Sequence, residues 1–169
     1  MALPTTITVQ GQLLTINTND VPFIKDVLTE GVDVQPLYLD AEVGIWVLRV
    51  IFAPGVTLPK HFHTGTVHLW TISGCWHYLE YPDQKQTAGC YLFEPGGSIH
   101  TFHTPADNTE PTDTFMVVTG SNVNYDEDDN LVGILDAGWI AEAVKVASVE
   151  QGLGEAHFIE AKGNGYSDA

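Results

Sequence analysis

Residues 61–74 read His61-Phe62-His63-Thr64-Gly65-Thr66-Val67-His68-Leu69-Trp70-Thr71-Ile72-Ser73-Gly74. The run from His68 to Ser73 mixes β-branched and aromatic residues and is closed by a glycine, the pattern of a short strand ending in a turn. His61 and His63 are separated by one residue. On a strand, alternate side chains share a face, so the two imidazoles project side by side. Neutral imidazole suits iron, zinc, copper and nickel, and a third ligand from a neighbouring strand would complete a facial metal site with open positions. The competing explanation is a polar surface pair, or two core histidines with hydrogen-bond partners.

The same texture extends on both sides. VQPLYL, GIWVLRVIF, VTLPKHFH, CWHYLEY, CYLFE, SIHTFH, DTFMVVTG and NLVGIL are short runs between Gly, Pro, Asp and Asn clusters. This spacing predicts an all-β sandwich or barrel over residues 34–134. In GIWVLRVIF, Arg49 prefers solvent, so Trp46, Leu48, Val50 and Phe52 should point inward. In DTFMVVTG, Phe115, Val117 and Thr119 share one face, Met116 and Val118 the other. Both are largely apolar, as in a strand inside a two-layer core. Strands apolar on both faces also predict a homo-oligomer, dimer or tetramer.

The ends differ. Residues 1–33 form an N-terminal extension, in which Asp20-Val21-Pro22 predicts a short helical turn over Pro22–Val27. In DAGWIAEAVKVASVEQG, Ile140, Ala143, Val144 and Ala147 fall at i, i+3, i+4 and i+7, one face of a helix over residues 136–152. Asp136 can cap its start and Gly152 can end it. Residues 153–169 are a tail whose last stretch, GNGYSDA, is expected to be mobile. With no repeat and no long linker, 1–169 reads as one domain.

Composition narrows the partners. The chain has 169 residues and a formal net charge of −16, from 22 Asp and Glu against 6 Lys and Arg. Such a chain is repelled by phosphate backbones and anionic lipid, so neither nucleic acid nor a membrane is expected as partner. No apolar run spans a bilayer, and the N-terminus lacks the pattern of a signal peptide. Cys75 and Cys90 show no metal or disulfide spacing, which fits a reducing, cytoplasmic setting. The acidity is uneven. Residues 41–105 carry −1, residues 1–40 carry −4, and residues 106–169 carry −11. The histidine-bearing segment is therefore almost neutral.

A second histidine segment follows the first. Gly89-Cys90-Tyr91-Leu92-Phe93-Glu94-Pro95-Gly96-Gly97-Ser98-Ile99-His100 holds a sharp Pro-Gly-Gly turn that sets His100 at the start of a strand. Gly55…His61-x-His63…Gly74 resembles the first cupin motif, and Gly89…Pro95-x-Gly97-x-x-His100 is similar to the second. The resemblance implies a cupin jelly-roll barrel holding one divalent metal on His61, His63 and His100. Many cupins carry a glutamate four residues after the histidine pair. Here that place falls on His68, or on Val67 if the alignment slips by one. The second motif often ends in Asn and here ends in Thr104.

With HFHTGTVHLWTISGCWHYLEY and the late DAGWI helix, the chain most resembles the three-histidine non-haem iron dioxygenases of the 2,4'-dihydroxyacetophenone dioxygenase type, and more distantly the acetylacetone-cleaving type. The resemblance implies Fe(II), with Zn, Ni or Mn as ions the protein could also hold. It implies cleavage of the carbon–carbon bond beside a carbonyl in an aromatic 2-hydroxyketone, giving 4-hydroxybenzoate and formate from 2,4'-dihydroxyacetophenone and O2. Three neutral imidazoles leave the ion's charge uncompensated, which favours an anionic chelating substrate. An octahedral ion so held keeps two positions for substrate and one for O2.

Further residues carry expectations. Glu94 could accept a hydrogen bond from a ligand histidine or from substrate, or be a solvated strand end. His103 is an acid–base candidate only if its strand bends, because strict alternation from His100 turns it away. Trp70, Tyr78, Phe102 and His68 are expected to line the substrate pocket. In CWHYLEY, both Trp76-Tyr78-Glu80 and His77-Leu79-Tyr81 are plausible inward faces. His77 is expected to be structural and His157 exposed. The alternatives are another three-histidine metal cupin, such as a β-diketone dioxygenase or an isomerase, and a non-enzymatic metal-sensing cupin domain.

Overall fold

The computed structural model describes residues 14–161. The strands in chain order are β1 (Val32–Asp40), β2 (Ile45–Phe52), β3 (Lys60–His63), β4 (Val67–Ser73), β5 (Cys75–Tyr78), β6 (Gln86–Thr87), β7 (Tyr91–Glu94), β8 (Phe102–His103), β9 (Thr112–Thr119), β10 (Asn122–Tyr125), β11 (Leu131–Leu135) and, after helix α1 (Ala137–Glu150), β12 (Ile159–Glu160). They form a six-stranded sheet in the order β12-β1-β2-β9-β4-β7 and two three-stranded sheets, β11-β10-β3 and β6-β5-β8. This is the all-β cupin jelly roll with a C-terminal helix.

Alternation sets the layers. Trp46, Leu48, Val50 and Phe52 on β2 are buried, and Arg49 between them pairs through two hydrogen bonds with Asp113 on β9. The core they enter also holds Val67 and Leu69 of β4, Trp76 of β5, Phe102 of β8 and Val118 of β9. On the opposite face of the large sheet, Trp70, Ile72, Tyr91 and Phe93 are exposed.

The termini differ in part from expectation. No helix forms over residues 22–27. Ile24 instead exchanges two backbone hydrogen bonds of 2.8 Å with Val34 and is buried. An isolated helix this short is marginal, whereas the bridge satisfies backbone groups and buries a large side chain. Helix α1 matches its prediction. Asp136 caps it by accepting from the Trp139 N–H, and Ile140 and Val144 are buried together with Ala137, Ala141 and Ser148. The segment after it is not all loose, since β12 pairs in parallel with β1 through Tyr38 and Ile159. The GNGYSDA stretch, residues 163–169, lies outside the described residues.

Candidate metal centre

β3 carries His61 and His63 on its inner face, with Lys60 and Phe62 turned the other way. His100 reaches the same place through the Pro95-Gly96-Gly97 turn. Gly97 adopts φ +83°, a left-handed conformation that glycine takes without a Cβ penalty, and its N–H donates to the His63 carbonyl at 2.8 Å. Three residues later, His100 and His61 exchange both backbone hydrogen bonds, at 2.9 and 3.0 Å. Residues paired in this way project their side chains on one face of the ladder. One donor nitrogen from each of His61, His63 and His100 lies within 4.8 Å of the others.

The surroundings keep these rings neutral. His61, His63 and His100 are all buried. Burial, reinforced by the neighbouring imidazoles, lowers the His63 pKa to about 3 and the His100 pKa to about 4, and burial also lowers that of His61. The His61 Nδ1 lies 2.7 Å from the Pro59 carbonyl oxygen. A carbonyl only accepts, so Nδ1 carries the proton and Nε2 presents its lone pair to the centre.

Glu94 belongs to the same site. It stands opposite Val67 on the β4–β7 ladder and is 4% exposed. Its Oε2 lies 3.4 Å from His100 Nε2 and 3.6 Å from His63 Nε2. Its other oxygen accepts a hydrogen bond from the Tyr78 hydroxyl. Burial pushes the Glu94 carboxyl up to about 7, against the Tyr78 hydrogen bond, and burial beside Glu94 pushes the Tyr78 phenol well above its ordinary value. The resemblance places a glutamate at His68 or Val67, and the structure instead brings a carboxyl into that space from across the ladder.

Glu94 Oε2 and His100 Nε2 are buried without hydrogen-bond partners. Unpaired buried polar atoms are costly, and these two face each other. A divalent cation held by the imidazole nitrogens would give His100 Nε2 its partner and place a positive charge beside Glu94 Oε2. Three nitrogen donors with one nearby oxygen also suit a first-row metal. The site thus fits a bound divalent metal.

The other expected residues divide. Tyr78 is in the site, its ring centroid 4.2 Å from that of His100, so the inward face of β5 is the Trp76-Tyr78 face. Phe102 is buried in the core, stacked on Trp76 at 4.7 Å and against Phe52 at 4.4 Å. His68 and Trp70 do not line the site. Val67 and Leu69 take the inward face of β4, so His68 and Trp70 project from the other side, where His68 Nδ1 meets the Tyr91 hydroxyl at 2.7 Å. His103 likewise faces away from His100. The strand does not bend, Phe102 takes the inward place, and His103 meets Thr57 Oγ1 at 2.8 Å and the ring of His77 at 5.3 Å. His157 is exposed.

Two residues escaped the sequence analysis. Asn122 and Asn124 on β10 are the cross-strand partners of His63 and His61. Asn122 is buried, and its Oδ1 and the His63 Nδ1, a complementary acceptor and donor, both lack another partner. The signal was the alternation Asn122-Val123-Asn124, which mirrors His61-Phe62-His63. Both asparagines and His61 line an open cleft of about 970 Å³, shared with Leu28, Leu58 and Leu135. Its walls combine these aliphatic and amide groups with Tyr125 and the charged Lys60, Asp126 and Glu127.

The sequence matches the ChrR cupin-like domain family over residues 11–122. Among solved structures, the chain is similar to a Ralstonia eutropha JMP134 protein of unknown function with a cupin-like fold. The two share 51% identity over 95% of this chain and 99% of that one, with a TM-score of 0.88. An RmlC-like cupin protein from the same organism is 23% identical over 86% of this chain and 93% of its own, with a TM-score of 0.78. An acetylacetone dioxygenase from Acinetobacter johnsonii is 16% identical over 85% of this chain and 97% of its own, with a TM-score of 0.66. The last two likenesses are likenesses of fold. No curated protein matches the chain. Among the described residues, no helix is long and apolar enough to cross a membrane.

Proposed function

This chain belongs to the ChrR cupin-like domain family, and from that premise we propose that it is a non-haem Fe(II) dioxygenase. Its reaction is cleavage of the carbon–carbon bond beside a carbonyl in a chelating ketone, with an aromatic 2-hydroxyketone as the substrate class. The observation that carries this is the pairing of three buried imidazoles with the unpartnered carboxyl oxygen of Glu94, beside an open cleft that His61 lines.

When bound, the metal supplies Lewis acidity and, as iron, the means to engage O2. The protein does the rest. His61, His63 and His100 would hold the ion, and His61 also lines the cleft through which a substrate would approach. Glu94, beside the three imidazoles and buried, is placed to accept the proton that a hydroxyketone loses when it binds as an anion. Tyr78 donates to the other Glu94 oxygen and fixes the carboxyl in place. Asn122 and Asn124 offer amide groups to substrate oxygens, and Leu28, Leu58 and Leu135 exclude water from its carbon skeleton.

The leucines of the cleft, Leu28, Leu58 and Leu135, favour a second reading, a β-diketone as substrate for the same chemistry. Anaerobic loading with Fe(II), followed by oxygen-electrode assays with 2,4'-dihydroxyacetophenone and acetylacetone, tests both. Stoichiometric O2 uptake with an aromatic acid and formate is expected from the hydroxyketone. Uptake with acetylacetone alone would select the second reading. No uptake with either, or turnover under strict anaerobiosis, would overturn the proposal.

A further inference from the structure

Outside the triad, the fold opposes two more histidines. His77 on β5 and His103 on β8 are direct partners across an antiparallel ladder. Both are half-buried, on the side of the ladder away from Tyr78 and Phe102. Their ring centroids are 5.3 Å apart and the rings are tilted by 57°. The triad's own pairs stand 5.2, 4.6 and 5.7 Å apart, a range that includes the separation of the outer pair.

Each outer ring is also oriented as a metal ligand usually is, through its other nitrogen. His77 Nδ1 lies 3.1 Å from the Tyr78 carbonyl oxygen, and His103 Nδ1 lies 2.8 Å from Thr57 Oγ1. The carbonyl only accepts, so His77 Nδ1 carries the proton and Nε2 keeps its lone pair, as in His61. Thr57 can accept from His103 in the same way. Among the described residues, no hydrogen bond engages either Nε2.

We propose that His77 and His103 form a second metal site, binding a borderline divalent ion such as Zn(II), Ni(II) or Cu(II) through two protein ligands and exchangeable waters. The net charge of −16 concentrates cations around the chain. Adjacent imidazole ligands bind such ions in preference to hard ones. An ion here clips β5 to β8, the short strand that begins two residues after His100. The site requires neither iron nor O2 and stands apart from the activity proposed above.

Equilibrium dialysis of the tag-free full chain against Zn(II), with metal counted by mass spectrometry, tests it. The wild type is expected to hold two ions. His77→Gln and His103→Gln should each lose one, His61→Ala should lose the other while keeping this one, and His68→Gln should lose none. Cu(II) electron paramagnetic resonance supplies a second readout, a nitrogen-ligated signal that persists in His61→Ala and vanishes in His61→Ala combined with His77→Gln. A single ion in the wild type that His61→Ala loses and His77→Gln and His103→Gln keep would overturn the proposal, as would two ions retained in both His77→Gln and His103→Gln. Should one of these variants fail to fold by circular dichroism, the other decides alone.

Discussion

Glu94 Oε2 lies 3.4 Å from His100 Nε2, and both atoms are buried without a hydrogen-bond partner. With His100 lowered to about 4 and Glu94 raised to about 7, much of the metal-free pocket is uncharged near neutrality. A divalent cation reverses this balance. It favours ionised Glu94 and gives the His100 lone pair its partner. With metal bound, Glu94 is therefore held as the carboxylate, the form that has a free oxygen to accept a proton.

Glu94→Gln separates proton handling from metal holding. Gln keeps the shape and an oxygen for Tyr78 but accepts no proton at neutral pH. The expected outcome is full metal content with a fall in kcat of about 100-fold or more, the usual worth of a positioned general base. Metal analysis beside oxygen-uptake kinetics checks this. An equal loss of metal would show that Glu94 acts as a ligand.

Metal should stabilise the chain through the triad. Ligand at about 100 times its Kd adds ~2.7 kcal/mol, and for a domain of this size that is a rise in Tm of about 5–10 °C. Thermal melts with and without anaerobic Fe(II) should show the rise in the wild type. His63→Ala, which removes a buried ligand, should show none.

The chelated protein should lose stability on acidification. His63 and His100 have native pKa values of about 3 and about 4, below the ordinary histidine value of 6.5. The unfolded chain therefore binds protons that the native state refuses, and stability present above pH 6.5 drains away as pH falls toward 4. Glu94 works in the opposite sense. Its native pKa of about 7 lies above the ordinary 4.5, so its contribution is full below pH 4.5 and is lost as pH rises through 7. Between these limits two imidazoles outweigh one carboxyl. Melts of metal-free protein should show Tm falling from pH 7 to pH 5, and falling more steeply in Glu94→Gln, where the opposing group is gone.

The triad was legible because local rules fix it. Alternation puts His61 and His63 on one face, and the Pro95-Gly96-Gly97 turn determines where His100 begins. His68 occupies the place anticipated for a glutamate and Trp70 offers an aromatic wall, but strand parity turns both outward, because Val67 and Leu69 are the apolar pair that the core takes. The contributions of Glu94, Asn122 and Asn124 depend on register between strands, such as Val67 against Glu94 and His63 against Asn122. Register between segments far apart in the chain leaves no periodic trace in either. For the same reason, the bridge from Ile24 to Val34 prevailed over a local helix-start signal.

Two glycines at the edges of the motifs offer a stability test of the fold itself. Gly74, between β4 and β5, has φ +77°, and a Cβ there would lie 2.6 Å from Thr112 Cα and 2.8 Å from the Pro111 carbonyl oxygen. Gly89 has φ +88°, but a Cβ would meet nothing within 4 Å. Gly89→Ala should therefore incur only the left-handed backbone penalty, roughly 1–2 kcal/mol. Gly74→Ala adds a clash with backbone that cannot rotate away, because β9 starts at Thr112 and its hydroxyl is hydrogen-bonded to the Cys75 carbonyl. Its expected cost is about 3–5 kcal/mol, in the range of the most disruptive single substitutions. Urea unfolding of both variants measures the difference. Equal destabilisation would mean that the β4–β5 turn can move away from β9, and that the close approach at Gly74 does not hold the turn in place.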